Sequence, residues 1–125
     1  MAVARRRDPH LAVLGADIHA VPVQTGASAG VVCFYVLQHL RRSDLRTVLE
    51  ELARVLRPRG VLLLGVHAGE GEFYLTPEIT ATRYTADELA GHLTDACFIV
   101  ETVHHRRPLP REHQGDQVDV MASRA

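Results

Sequence analysis

The stretch from Ser43 to Val66 restricts the fold of this chain more than any other. Apolar residues between Ser43 and Arg57 recur at helical spacing and leave the charged residues toward water, which predicts an amphipathic helix. Ser43 can cap its start, and Pro58 ends it. Val61 to Val66 is then an apolar run without alternation, typical of a central strand covered by helices on both faces.

Two shorter apolar runs precede this unit. Leu11 to Gly15 and Gly30 to Val36 are both bounded by turn-forming residues, which predicts two more strands that are buried on both faces. Three apolar strands around one amphipathic helix favour a parallel sheet.

The remaining elements follow the central unit. Thr85 and Glu88 have the spacing of a capping box and predict a second helix, which should run to about Ala96. Phe98 to His105 and Gln117 to Ala122 alternate more nearly in period two, which predicts an antiparallel pair. The predicted fold is therefore α/β, with a mostly parallel sheet, a C-terminal antiparallel hairpin and helices on the faces.

Composition excludes several classes of partner. The 125 residues carry a formal net charge of -1, which provides no basic field for nucleic acid. No apolar run is long enough to cross a bilayer, and the N-terminus lacks an apolar signal segment, so we expect no membrane association and a cytoplasmic location. Cys33 and Cys97 lack Cys-x-x-Cys spacing and are predicted to be reduced thiols.

Two further classes of site are disfavoured. His104, His105 and His113 are candidates for metal ligands, but adjacent histidines in a strand point to opposite faces and chelate poorly, so no metal site is predicted. Gly69-Glu-Gly71 follows a strand but precedes no clear helix, which disfavours a dinucleotide-binding turn.

Four segments, in this order, resemble class I S-adenosylmethionine-dependent methyltransferases that act on small molecules. They are Gly15 to Pro22, Ser28 to Leu40, Leu49 to Gly60 and Thr85 to Leu89. The third is distinctive because its helix runs into Arg-Val-Leu-Arg-Pro-x-Gly and then an apolar strand. The resemblance implies a Rossmann-like sheet, S-adenosylmethionine as cofactor and methyl transfer to a small-molecule acceptor.

The resemblance also implies roles for particular residues. Asp17 would accept a hydrogen bond from the adenine amino group and Ile18 would pack on the ring, while Phe34 and Tyr35 would lie along the methionine part of the cofactor. His39 would lie near the site of methyl transfer. The alternatives are that Asp17 only caps a turn, that Phe34 and Tyr35 belong to the core, and that His39 is a helix-entry residue.

Acceptors in open α/β sheets bind beyond the carboxyl ends of the strands, where His39, His67 and Tyr74 are expected. His67 is the best candidate for a catalytic base, with an ordinary strand-end histidine as the alternative. Tyr74 is expected to contact the substrate.

The first strand, glycine-rich turn and second strand of the family have no counterpart in the sequence. We therefore expect one truncated methyltransferase domain over residues 1–125. Losing about three charge-assisted hydrogen bonds would cost on the order of 4–9 kcal/mol, so cofactor binding should be weak or absent. The missing strands would expose a sheet edge through which a homo-oligomer could form, and the alternative function is a non-catalytic interaction module.

The family frequently places glycine after the second of these helices, where a left-handed residue closes the turn. Ala96-Cys97-Phe98 contains no glycine, so we expect the turn to be strained or to have a different shape.

Overall fold

The computed structural model describes residues 2–110 and 115–125. The helices are α1 (Ala2–Arg7), α2 (Leu45–Val55) and α3 (Ala86–Asp95), with short 3-10 turns at Leu37–His39 and Arg42–Asp44. The strands are β1 (Ser28–Phe34), β2 (Leu56–His67), β3 (Glu72–Thr76), β4 (Ile79–Thr82), β5 (Phe98–Arg106) and β6 (Gln117–Arg124).

Four strands form the main sheet, in the order β1-β2-β6-β5. β1 runs parallel to β2, whereas β6 is antiparallel to both β2 and β5. β3 and β4 form a separate antiparallel hairpin between β2 and α3. The α/β fold class predicted from the sequence is confirmed, including the C-terminal antiparallel hairpin.

Both long helices pack on the same face of this sheet. Leu62, Leu64 and Val66 of β2 are fully buried in one core cluster with the apolar residues of α2 and α3. Val61 and Leu63 alternate with them and remain 38% and 37% exposed. The prediction that the central strand is covered on both faces is therefore wrong, because no described helix packs on the second face.

We call this second surface the open face; it consists of Gly30, Val32, Phe34, Val61, Leu63, Gly65, Asp119, Met121, Ser123, Ile99, Thr102 and His104. Register places these residues in rows across the strands, such as Val32 beside Leu63 and Leu63 beside Met121. Phe34 lies across Gly65, where an added Cβ would come within 2.3 Å of the ring. Glycine at 65 thus makes room for an aromatic ring on the sheet surface.

The predicted strand from Leu11 to Gly15 is not formed. Leu11 and Leu14 are 51% and 71% exposed, and the segment pairs with no strand in the described chain. An isolated strand leaves its backbone groups without partners, so apolar composition alone does not produce one.

A charged clamp holds the segment before β1 against α2. Arg54 donates to the carbonyl oxygens of Val21 at 2.9 Å and Val23 at 3.0 Å, while Glu51 accepts from the Val21 amide at 2.9 Å. Hydrogen bonds from the Arg54 guanidinium hold the pKa of the Glu51 carboxyl below its usual range. The clamp fixes the chain entering β1.

The two helix starts differ in their capping. Thr85 and Glu88 form the predicted capping box at the start of α3. In contrast, Ser43 lies within a 3-10 turn, and α2 begins after Asp44 without a side-chain cap, so the predicted Ser43 cap is wrong.

In the turn after α3, Cys97 has φ 68°, so a residue other than glycine occupies the left-handed region, as the strained form of this turn requires. Both cysteines are free, with Cys33 buried and Cys97 exposed. No helix within residues 2–110 and 115–125 is long and apolar enough to cross a membrane.

Replacing Cys97 by glycine should stabilise the protein. A left-handed conformation costs a non-glycine residue roughly 1–2 kcal/mol, which exceeds the entropy lost by ordering a glycine. We expect Cys97→Gly to raise the melting temperature by a few degrees in thermal unfolding. Cys97→Ala, which removes the thiol but keeps the strain, serves as the control. An unchanged or lower midpoint for Cys97→Gly would reject strain at this turn.

Stability should fall at alkaline pH because of Cys33. Burial raises the pKa of its thiol from 9.0 to about 11, so the unfolded chain loses this proton first. Between these values, each pH unit should lower the free energy of unfolding by about 1.4 kcal/mol. Urea unfolding across this range measures the slope. Cys33→Val should show a shallower slope, and equal slopes would contradict the assignment.

Candidate functional site

The carboxyl end of β1 presents Tyr35 in an unusual backbone conformation. Tyr35 has φ 57°, and its amide donates to the Gly65 carbonyl at 3.0 Å. Its hydroxyl donates to Gln117 Oε1, which also accepts from Arg106 Nη2 at 2.6 Å. A left-handed non-glycine residue held by such contacts is typical of functional sites.

His67 ends β2 beside Tyr35 and is 3% exposed. The two ring centroids lie 5.4 Å apart, and Phe73 approaches His67 edge-on at 5.1 Å. The His67 carbonyl accepts from the Tyr84 amide at 3.0 Å, which ties the strand end to the start of α3. The imidazole is therefore fixed between two aromatic rings.

A cavity of about 380 Å³ opens beside this histidine. It is lined by His67, Phe73, Tyr74, Leu75, Arg83, Gly115 and Asp116. Tyr74 is 78% exposed and lies at its border. The structure thus brings His67 and Tyr74, both predicted from the sequence, to one cavity at the carboxyl end of β2.

His39 lines a different cavity, of about 340 Å³, together with Gln38, Leu40, Arg41, Glu72, Thr80 and Thr82. Gln38 is buried, and its Oε1 accepts no hydrogen bond from the described residues. Glu72 and Phe73 are adjacent in β3 yet line different cavities. The β3–β4 hairpin therefore contributes to both, and His39 does not share a cavity with His67.

Asp17 lies in a tight turn before the clamped segment. Its Oδ1 accepts from the His19 amide and is paired with His19 Nδ1, each at 2.8 Å. The backbone hydrogen bond from His19, followed by the contact with its ring, lowers the pKa of the Asp17 carboxyl. One oxygen of the Asp17 carboxylate therefore caps the turn, in agreement with the turn-capping alternative. The Asp17 side chain is still 70% exposed.

The neighbouring candidates face different surroundings. Ile18 is half-buried and packs against the core cluster, whereas the Phe34 ring lies on the open face. Neither residue, nor Asp17, lines the cavity beside His67. The structure thus separates these residues from the His67 cavity.

Phe73, Arg83, Arg106 and Gln117 were not predicted from the sequence. The sequence does show Gln117 as a polar residue at the start of an apolar strand, and the structure buries it. The others become neighbours of His67 and Tyr35 only through the β3–β4 hairpin and the antiparallel β5–β6 pair.

In residues 2–110 and 115–125, no three His, Cys, Asp or Glu side chains form a group that could hold a metal ion. His105 Nε2 pairs with Asp116 Oδ2 at 2.8 Å, whereas His104 lies beside Asp119 in the strand register. His113 lies outside the described residues.

Comparison with known proteins agrees with this architecture. A sequence model described as a methyltransferase domain matches residues 1–64, about half of the chain. The mouse tRNA (carboxymethyluridine(34)-5-O)-methyltransferase is 37% identical over 68 residues, which cover 54% of this chain and 10% of that protein.

Solved structures extend the likeness to nearly the whole chain. A SAM-dependent methyltransferase from Methanosarcina mazei has a TM-score of 0.78 at 17% identity, covering 87% of this chain and 65% of that one. The 1,6-didemethyltoxoflavin-N1-methyltransferase of Burkholderia thailandensis has a TM-score of 0.79 at 19% identity, covering 99% and 55%. At such identities the likeness shows the fold alone.

This chain spans about a tenth of the curated mouse relative and 55–65% of these two solved structures. The family match covers half of the chain, and the fold of this chain matches part of the two solved structures over 87% and 99% of its own length. The chain therefore belongs to the class I S-adenosylmethionine-dependent methyltransferase family.

Proposed function

We propose that this chain forms part of a methyltransferase domain that methylates a small molecule, with the acceptor in the cavity beside His67. The observation that carries the proposal is the buried imidazole fixed between Tyr35 and Phe73 at the carboxyl end of a parallel strand. Ligands of open α/β sheets bind at such ends. A cavity of about 380 Å³ also has the size of a small-molecule site.

Bound S-adenosylmethionine would supply an electrophilic methyl group on a sulfonium. Methyl transfer depends chiefly on aligning the acceptor, so the role of this chain would be to position it. Tyr35, held by Gln117 and Arg106, supports His67 from one side, and Phe73 supports it from the other. His67 would take a proton from a hydroxyl acceptor, and the surrounding rings would limit access of water.

Among the parts of the cofactor, the adenine is the one for which this chain offers the best-suited residues. Asp17 is ionised and exposed, and its second oxygen is available to accept from an exocyclic amine, with Ile18 adjacent. Phe34 lies on the open face, whereas Tyr35 lies beside His67 at the carboxyl end of β1, so Tyr35 is the better candidate to approach the methionine part. We propose no contact for the ribose or the methionine carboxylate.

The adenine contact can be tested by titration with S-adenosylhomocysteine in a calorimeter. We expect binding near millimolar concentration and a further weakening of about tenfold or more in Asp17→Ala, since one charge-assisted hydrogen bond is lost. Asp8→Ala is a matched control because Asp8 accepts from the His10 amide at 3.0 Å in the same kind of turn. No heat up to millimolar cofactor would contradict catalysis by this chain alone.

A second candidate function is self-association. β1 is at the end of the sheet order, and Ser28–Phe34 contains neither a charged residue nor a proline to block pairing. On the adjoining open face, Val32 is 66% exposed. We propose that β1 pairs antiparallel with β1 of a second copy across a two-fold axis.

Cytoplasmic location and a single truncated domain over residues 1–125 stay predictions.

Sedimentation equilibrium tests this association. The unsubstituted protein should dimerise with increasing concentration, and Val32→Lys should shift it toward monomer because a lysine on an edge strand opposes pairing. Leu14→Lys is the control, since Leu14 is 71% exposed and lies outside the sheet. A monomer at every concentration, or equal association of both variants, would contradict the proposal.

A further inference from the structure

Arg83 gives the cavity beside His67 a positive charge on an aromatic support. Its guanidinium carbon lies 4.3 Å from the centroid of the Phe73 ring. The Phe73 ring also makes an edge contact with the His67 ring, and all three residues line the cavity. The cavity therefore combines aromatic walls with one guanidinium.

Several contacts hold Arg83 in place. The Arg83 amide donates to the Gly71 carbonyl at 2.9 Å, and Arg42 Nη2 donates to the Arg83 carbonyl at 2.6 Å. Its aliphatic stem packs on Gly69, where an added Cβ would lie 3.0 Å from Arg83 Cδ. The absence of a side chain at 69 thus makes room for this arginine, which is oriented before any ligand arrives.

The guanidinium of Arg83 keeps most of its hydrogen-bonding capacity. Within residues 2–110 and 115–125, no carboxylate oxygen lies within 4.0 Å of it, and its described hydrogen bond is a long one, 3.4 Å, to the Glu72 carbonyl. Asp116 also lines the cavity, but its Oδ2 pairs with His105 at 2.8 Å. Guanidinium has five donors in a planar fork that suits carboxylate or phosphate.

We infer that the cavity selects a ring-bearing ligand with an anionic substituent, a carboxylate or phosphate, which Arg83 binds. Rings of His67, Phe73 and Tyr74 line the cavity and provide flat apolar contact, while Arg83 supplies the guanidinium that would bind the anion. The inference rests on the proposed function only in calling this ligand the methyl acceptor. A neutral ring of the same size leaves the guanidinium without an anionic partner and binds more weakly.

The test titrates the full chain with benzoate, phenyl phosphate and benzyl alcohol, followed by NMR amide shifts. At least one anion should bind about tenfold tighter than the alcohol, with the largest shifts at Gly71, Phe73 and Arg83. Arg83→Met should abolish this preference and Arg83→Lys should retain part of it. Arg57→Met removes an exposed arginine outside the cavity and should keep the full preference.

Equal affinities for the three probes, no binding, or shifts confined to other residues would overturn the inference. So would a folded Arg83→Met protein that still prefers the anions. If that variant does not fold, the comparison of charged and neutral probes on the unsubstituted chain decides the question by itself.

Titration with S-adenosylhomocysteine separates this site from the methyltransferase proposal. Selection of anions without cofactor binding supports the anion site and counts against methyl transfer by this chain. Cofactor binding without selection of anions overturns the anion site and leaves the proposed function standing.

Discussion

β2 is the element on which the rest of the structure depends. Its two edges are hydrogen-bonded, to β1 in parallel and to β6 in antiparallel register, and Leu62, Leu64 and Val66 fill the core under α2 and α3. Each fully buried side chain of this kind contributes roughly 1.5–3 kcal/mol. A one-residue slip of β2 would move this set to the open face, so its register also fixes the positions of β1 and β6.

The candidate site is a consequence of that register. Parallel pairing brings Tyr35 to the end of β2 where His67 lies, and antiparallel pairing of β6 brings Gln117 opposite His67. Phe73 and Arg83 then come from the hairpin that leaves the same end of β2. Residues far apart in sequence thus form one aromatic and charged cluster because their strands end at one edge.

The open face remains exposed because α2 and α3 both pack on the other face of the sheet. Val32 and Leu63 remain in contact with water, although their strands were predicted to be buried on both faces, and Ile99 of β5 is exposed beside them. Contiguous exposed apolar surface is a common mark of an interaction site, and the open face adjoins the edge of β1 that pairs with no strand of residues 2–110 and 115–125. The proposed self-association through that edge is consistent with both features.

The sequence by itself determined the elements whose signals are local. Helical spacing predicted α2, the Thr85 and Glu88 pair predicted α3, and alternation predicted the β5–β6 hairpin, because side-chain periodicity and capping act within a few residues. The missing glycine after α3, which predicted a strained or differently shaped turn, is likewise a local feature, and Cys97 there has a positive φ.

Only the tertiary structure decided the properties that depend on neighbours. Leu11 to Gly15 has the composition of a strand but no partner for its backbone, and the apolar run of β2 does not reveal how many of its faces are covered. The surroundings of His67, and the support of Arg83 by Phe73 and Gly69, likewise arise from strand register and hairpin placement. Such contacts join distant residues, and no short-range pattern in the sequence encodes them.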